Sequence, residues 1–223
     1  MEPRGGNMTR WGMVVDLKRC IGCYSCMVGC KQEHFLPPNV YWTRLLVSET
    51  GQYPQVTNHT YPVLCNHCKE AICVKVCPSG ATSQREDGLI NINYDKCVGC
   101  GYCIIACPYQ QRTLYKNGKV GYFPNQGLTE LEVIGKKLSP FQPGTVVKCN
   151  FCEERIDQAI RKGLKPGPDR EASPACVNNC PVKARCFGNI DDPNSEVSIL
   201  IRQRKGFQLR PEFGTDPSVY YVD

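Results

Sequence analysis

Nowhere in the 223 residues is there a run of about 18 apolar residues, so no transmembrane helix is encoded. The stretch from Val197 to Ile201 near the C-terminus is short and carries Ser198 inside it. Residues 1–8 (MEPRGGNM) hold neither a hydrophobic signal core nor an adjacent arginine pair, so synthesis inside the cell is the expectation. No H-E-x-x-H, P-loop or G-x-G-x-x-G occurs, which leaves no bond-making site to assign. Apolar residues are scarce as well. The hydrophobic fraction of 41% includes 17 cysteines, and without them about a third of the chain remains, against ~45–50% in ordinary domains. So lean a core needs something besides leucine and valine to hold it, and the thiols are the candidates.

The cysteines form four groups of four, with Cys186 left over. Group one is Cys20, Cys23, Cys26 and Cys30, spaced C-x2-C-x2-C-x3-C. Group two is Cys65, Cys68, Cys73 and Cys77, spaced C-x2-C-x4-C-x3-C. Group three, Cys97, Cys100, Cys103 and Cys107, repeats the spacing of group one. Group four is Cys149, Cys152, Cys176 and Cys180, with 23 residues inserted after its second cysteine. Proline follows the last cysteine in three groups (Pro78, Pro108, Pro181), whereas Lys31 stands there in group one. The C-x2-C-x2-C-x3-C-P run is the bacterial ferredoxin signature of a 4Fe–4S cubane. Two-residue spacers let one tight loop present three thiolates to three corners of a cube. The fourth cysteine starts the next element and reaches a different cluster, so two groups exchange their last cysteines and make two clusters.

Disulfides and zinc compete for such thiols. Disulfides need an oxidising compartment, and an odd count leaves one thiol unpaired. Zinc takes C-x2-C pairs well separated along the chain, so group four alone would pass for a zinc ribbon. Three cysteines within seven residues, as in groups one and three, favour a cubane.

Around the cysteines, Gly12 to Asp16, Leu89 to Asn93 and Val146-Val147 read as short strands leading into groups one, three and four. A short helix is expected after the third cysteine of each group. Glu153 to Lys162 and Ser195 to Lys205 read as helices, the second capped by Asn194 or Ser195 and each stopped by a glycine. Lys165 to Ser173 reads as a loop. The repeat of strand, cysteine loop and helix indicates an α+β fold of two bacterial-ferredoxin-like units. Groups two and three, close in sequence, make one unit over 61–111. Groups one and four make the other, from 10–60 plus 145–210. Residues 112–148, with Tyr115, Tyr122, Phe123 and Phe141, form an insertion that is either a partner-binding element or a surface loop. Residues 207–223 are a C-terminal tail.

These residues resemble a family. The stretches GMVVDLKRCIGCYSCMVGCK, LCNHCKEAICVKVCPSGAT, DKCVGCGYCIIACPY, KCNFCEERI and PACVNNCPVKARCFGNIDDP, with the tail LRPEFGTDPSVYYV, are similar to the four-cluster electron-transfer subunit of the dimethyl sulfoxide reductase family of molybdopterin oxidoreductases. The resemblance covers most of residues 12–222. It implies four 4Fe–4S clusters held by Cys20, Cys23, Cys26 and Cys180; by Cys149, Cys152, Cys176 and Cys30; by Cys65, Cys68, Cys73 and Cys107; and by Cys97, Cys100, Cys103 and Cys77. It also implies a large catalytic partner subunit carrying a molybdenum or tungsten bis-pterin, and a quinone-linked membrane subunit or soluble carrier at the other end. Relatives are often exported folded with a signal-bearing partner, so the periplasmic face is the expected location, with the cytoplasm as the alternative. A free-standing polyferredoxin, a relay for a hydrogenase or carbon monoxide dehydrogenase, and a zinc-dependent binding module are the competing functions.

A formal charge of +6 would suit nucleic acid, but each oxidised cubane with its thiolates carries roughly −2, so the basic residues serve to offset clusters and no nucleic-acid partner is expected. Lys18, Arg19, Lys31, Lys69, Lys75, Lys96, Lys148 and Lys183 are the candidates closest to ligands. His67 is expected to hydrogen-bond or pack rather than ligate, and Cys186 to be a small structural residue. Ile21, Tyr24, Val98, Tyr102 and Ile104 are expected to cover cluster faces. Asn7-Met8-Thr9 and Asn58-His59-Thr60 match a glycosylation pattern by chance.

Overall fold

The computed structural model describes residues 9–116, 121–123, 125–139 and 141–223. The segment without a signal core, most of the Asn7-Met8-Thr9 match and part of the 112–148 insertion lie outside them. In chain order the elements are β1 (Trp11–Asp16), α1 (Ser25–Glu33), β2 (Thr43–Gln52), β3 (Gln55–Leu64), α2 (Ile72–Lys75), β4 (Thr82–Gln84), β5 (Ile90–Ile92), α3 (Tyr102–Ile105), β6 (Thr113–Tyr115), α4 (Glu130–Leu138), β7 (Thr145–Val147), α5 (Glu153–Arg161), α6 (Ala175–Asn178), β8 (Arg185–Asn189), α7 (Glu196–Gln203) and β9 (Val219–Val222). The fold is mixed α and β with small sheets.

β1 is buried at all six positions because it runs between β8 (antiparallel) and β9 (parallel), with both faces covered. Met13 and Val15 point into the main core, while Val14 faces the opposite side with Val197 of α7 and Val222 of β9. The tail is therefore structural: its last strand completes the sheet that carries group one. Ser195 caps α7 by accepting from the Ser198 N–H at 3.2 Å. Cys186 pairs with Val14 across the sheet and packs against this smaller cluster. The main core includes Cys26, Cys30, Cys65, Cys149 and Cys176, so the scarce aliphatic residues are laid around thiols.

The structure adds three things to the reading of the sequence. The helix at the third cysteine of each group starts one residue before it, at Ser25, Ile72, Tyr102 and Ala175, which seats the third thiol on the first turn. Unpaired first-turn amides there favour a thiolate. The long hairpin β2–β3, ten residues on each strand, has no counterpart among the expected elements. Only its base is buried and its outer half is exposed on both faces, so no alternating pattern marks it. The 112–148 insertion is more than a surface loop: β6 and β7 pair at its base, and α4 starts on a Thr129–Glu132 capping box.

Candidate metal centres

All four groups begin with the same backbone turn. The second residue of each first C-x2-C spacer has positive φ: Gly22 (68°), His67 (42°), Gly99 (66°) and Phe151 (57°). That left-handed residue curls the loop back so that successive thiols face one space. Glycine suits it, and at Gly99 a Cβ would meet the Gly144 carbonyl at 1.9 Å. His67 and Phe151 adopt it while buried and stacked on each other, ring centroids 4.0 Å apart. His67 Nδ1 accepts from the Ile90 N–H (2.9 Å), so Nε2 carries the proton and donates to the Cys149 carbonyl (3.1 Å). Its role is to join the loops of groups two and four.

The loops bring cysteines from different groups together. Cys20, Cys23, Cys26 and Cys180 line one cavity with Ile21 and Tyr24. Cys77, Cys97, Cys100 and Cys103 line another with Val98 and Gly99. Cys30 lies within electrostatic reach of Cys149, Cys152 and Cys176. Cys68 lies within reach of Cys65, Cys73 and Cys107. Among the described residues no three Cys, His, Asp or Glu side chains converge on one point as a single ion would require. Backbone amides reach many of these sulfurs: Ala184 N–H donates to Cys180 Sγ at 3.2 Å, and Thr82, Val146, Phe151 and Ala175 N–H groups donate to Cys77, Cys97, Cys149 and Cys152 at 3.4 Å. Soft thiolates in fours, each set within reach of backbone donors, fit iron–sulfur clusters.

Comparison with known proteins agrees. A 4Fe-4S dicluster domain matches residues 56–122 and a 4Fe-4S binding domain matches residues 17–41. The chain is 40% identical to a putative dimethyl sulfoxide reductase iron–sulfur subunit of Halobacterium salinarum, covering 97% of this chain and 80% of the relative. It is 39% identical to a selenate reductase subunit of Mesobacillus selenatarsenatis (97% and 73%). It is 38% identical to the arsenate respiratory reductase iron–sulfur subunit ArrB of a Shewanella species (96% of both). The chain belongs to the iron–sulfur subunits of the dimethyl sulfoxide reductase family.

Within this family member the thiols do not share one environment. Burial, with neighbouring thiols adding to it, pushes Cys30 and Cys152 far up and Cys149 up to about 12. At the surface, a hydrogen bond with Ser25 lowers Cys23. Cys23 and Cys100 are the two exposed cysteines. Around them Ile21, Tyr24, Val98 and Tyr102 are themselves exposed, so they rim the cavities and leave one side open; Ile104 is half-buried. His34, which no local motif marks, sets Nε2 3.2 Å from Cys152 Sγ and packs tilted against Trp42, ring centroids 4.4 Å apart.

Two of the expected cations do lie near ligands, Lys31 beside Cys30 and Lys148 beside Cys149, while their ammonium groups are held by oxygen. Lys148 is buried but donates to the carbonyls of Ile90 and Cys149. Lys31 donates to the Pro37 and Val40 carbonyls, both at 2.9 Å, and Lys75 pairs with Glu70. Two buried arginines that the expectation did not include also face the thiols: Arg112 interacts with Cys73, Cys65 and Cys103, and Arg185 with Cys176 and Cys26. A positional signal existed, since each is the fifth residue after the closing cysteine of its group.

Proposed function

We propose that this chain relays electrons through four 4Fe–4S clusters in a fixed order, between a large molybdenum or tungsten bis-pterin subunit at one end and a second partner at the other. A cubane gains or loses one electron with little movement of its atoms, which suits relay. Cys20, Cys23, Cys26 and Cys180 hold the first cluster and Cys30, Cys149, Cys152 and Cys176 the second. Cys65, Cys68, Cys73 and Cys107 hold the third, and Cys77, Cys97, Cys100 and Cys103 the fourth. The observation that carries the order is that the thiol sets touch electrostatically in series: Cys26 with Cys176, Cys149 with Cys65, and Cys103 with Cys73. The second and third sets are the inner ones, and the series ends at the exposed Cys23 and Cys100.

This assignment makes two ferredoxin-like units, one over 61–111 and one split between 10–60 and 145–210, and the dicluster match over 56–122 supports the first of them. The apolar rims, with Ile21, Tyr24 and Val28 at one end and Val98, Tyr102 and Ile105 at the other, are where partners exclude water from the terminal thiols. One partner is the catalytic subunit. The other is a quinone-linked membrane subunit or a soluble carrier, and no helix among the described residues is long and apolar enough to cross a membrane itself. Co-export with a signal-bearing partner would leave the complex at the periplasmic face. Iron and acid-labile sulfide analysis of the purified complex tests the reading: about sixteen of each per chain, with a large subunit co-purifying, is expected. Zinc without sulfide, or a chain that persists alone, would overturn it.

A further inference from the structure

We propose that Arg112 and Arg185 are a matched pair of potential-setting cations, each raising the reduction potentials of the two clusters of its own unit. The two residues repeat one design. Each stands five residues after a closing cysteine, Cys107 or Cys180. Both are buried, at 5% and 4% exposure. Each donates to a buried threonine hydroxyl: Arg112 Nη1 to Thr82 Oγ1 at 3.3 Å, and Arg185 Nη2 to Thr43 Oγ1 at 2.9 Å. Each also reaches thiols of two ligand sets, Arg112 those of Cys73 and Cys103, Arg185 those of Cys176 and Cys26.

Among the described residues neither guanidinium has a carboxylate partner. Arg112 Nη2 is buried and among the described residues meets no nitrogen or oxygen acceptor. A buried guanidinium stays charged and is costly unless negative charge compensates it. The thiolates are the negative charge that both guanidiniums reach. An electron arriving at either neighbouring cluster adds negative charge in a low-dielectric setting, where a fixed cation stabilises it most. One electron enters and later leaves; the guanidinium exchanges no bond and no proton. Being shared, each arginine also screens the repulsion between electrons on adjacent clusters.

The inference rests on the four-cluster assignment above, which iron and sulfide counts test separately. The experiment is an EPR-monitored redox titration of the cluster-loaded full chain carrying Arg112→Gln, Arg185→Gln or the corresponding Lys substitutions. Each Gln variant is expected to lower two of the four potentials, cutting the reduced-to-oxidised ratio about tenfold at fixed potential, or about 59 mV for a one-electron couple. The two variants must move different, non-overlapping pairs, and Lys must restore most of the shift. Full iron content with unmoved potentials, or a shift spread over all four, overturns the proposal alone. Iron loss in both Gln and Lys variants assigns a structural role and also overturns it. An unsubstituted chain without about sixteen irons removes the cluster assignment and the proposal together.

Discussion

Cys23 and Cys100 stand exposed in the first and fourth of the proposed thiol sets, while Cys30, Cys149, Cys152 and Cys176 of the second are all buried and the third is mostly half-buried. The difference extends to chemistry. A hydroxyl neighbour holds the Cys23 thiol down, whereas burial drives Cys149, Cys152 and Cys30 up. The ends are made for approach and the centre for support. A bare central thiolate would be expensive, so bound metal is what makes that part of the core stable.

The largest effect that follows is loss of the fold on iron removal. Chelation should abolish cooperative melting and near-ultraviolet circular dichroism together, because the centre has too little aliphatic core to stand alone. A native-like apo-protein with a sharp transition would erase the contrast between centre and ends. Next come single thiols. Cys152→Ala should cost more than one cluster's iron and leave a chain prone to proteolysis, since its sulfur also meets His34 and the Ala175 N–H. Cys23→Ser should lose at most about four irons and keep the fold, because its surroundings are open. Equal damage from the two, by iron analysis and limited proteolysis, would contradict the comparison.

A smaller effect concerns the bond between units. Arg85, on the strand after group two, grips Asp157 of α5 through two hydrogen bonds of 2.9 and 2.7 Å and also reaches Glu153. These groups are about one-third exposed, so Asp157→Asn should cost only about 1 kcal/mol after solvent screening. The hydrogen bonds from Arg85 hold Asp157 below its usual range. Its contribution is therefore full above the unfolded value of about 3.9 and fades as pH falls through the lower folded value. Denaturant melts of both forms should converge on acidification, and a constant gap down to acid pH would rule out this coupling. Smallest of all, Tyr102→Ser and Ile105→Ser at the open rim should change stability by under about 0.5 kcal/mol. They should weaken partner association measurably in pull-down or calorimetric titration; stability loss without weaker association would make the rim part of the core.

Much of this was legible beforehand because cysteine spacing is a short-range signal. The strands at Trp11–Asp16 and Thr145–Val147, the capped helix after Ser195 and the grouping of thiols follow from local pattern and loop length. The hairpin from Thr43 to Leu64 was illegible because its outer half packs against nothing that would impose alternation. His34, at the end of the group-one helix, meets Cys152 from 118 residues away, a contact no local window contains.

Residue order by itself determined that the chain would carry soft-metal ligands in four loops of one shape, since two-residue spacers and a left-handed turn residue are properties of the local backbone. Only the tertiary structure decided which cations face the thiols. Lys31, Lys148 and Lys75 give their hydrogen bonds to carbonyls or a carboxylate, though Lys31 and Lys148 each still act on one neighbouring thiol. Arg185, at the start of β8, and Arg112, just before β6, are both buried, and there each meets sulfur from two groups at once. Burial, which depends on the whole fold, set the charge pattern that spacing along the chain leaves open.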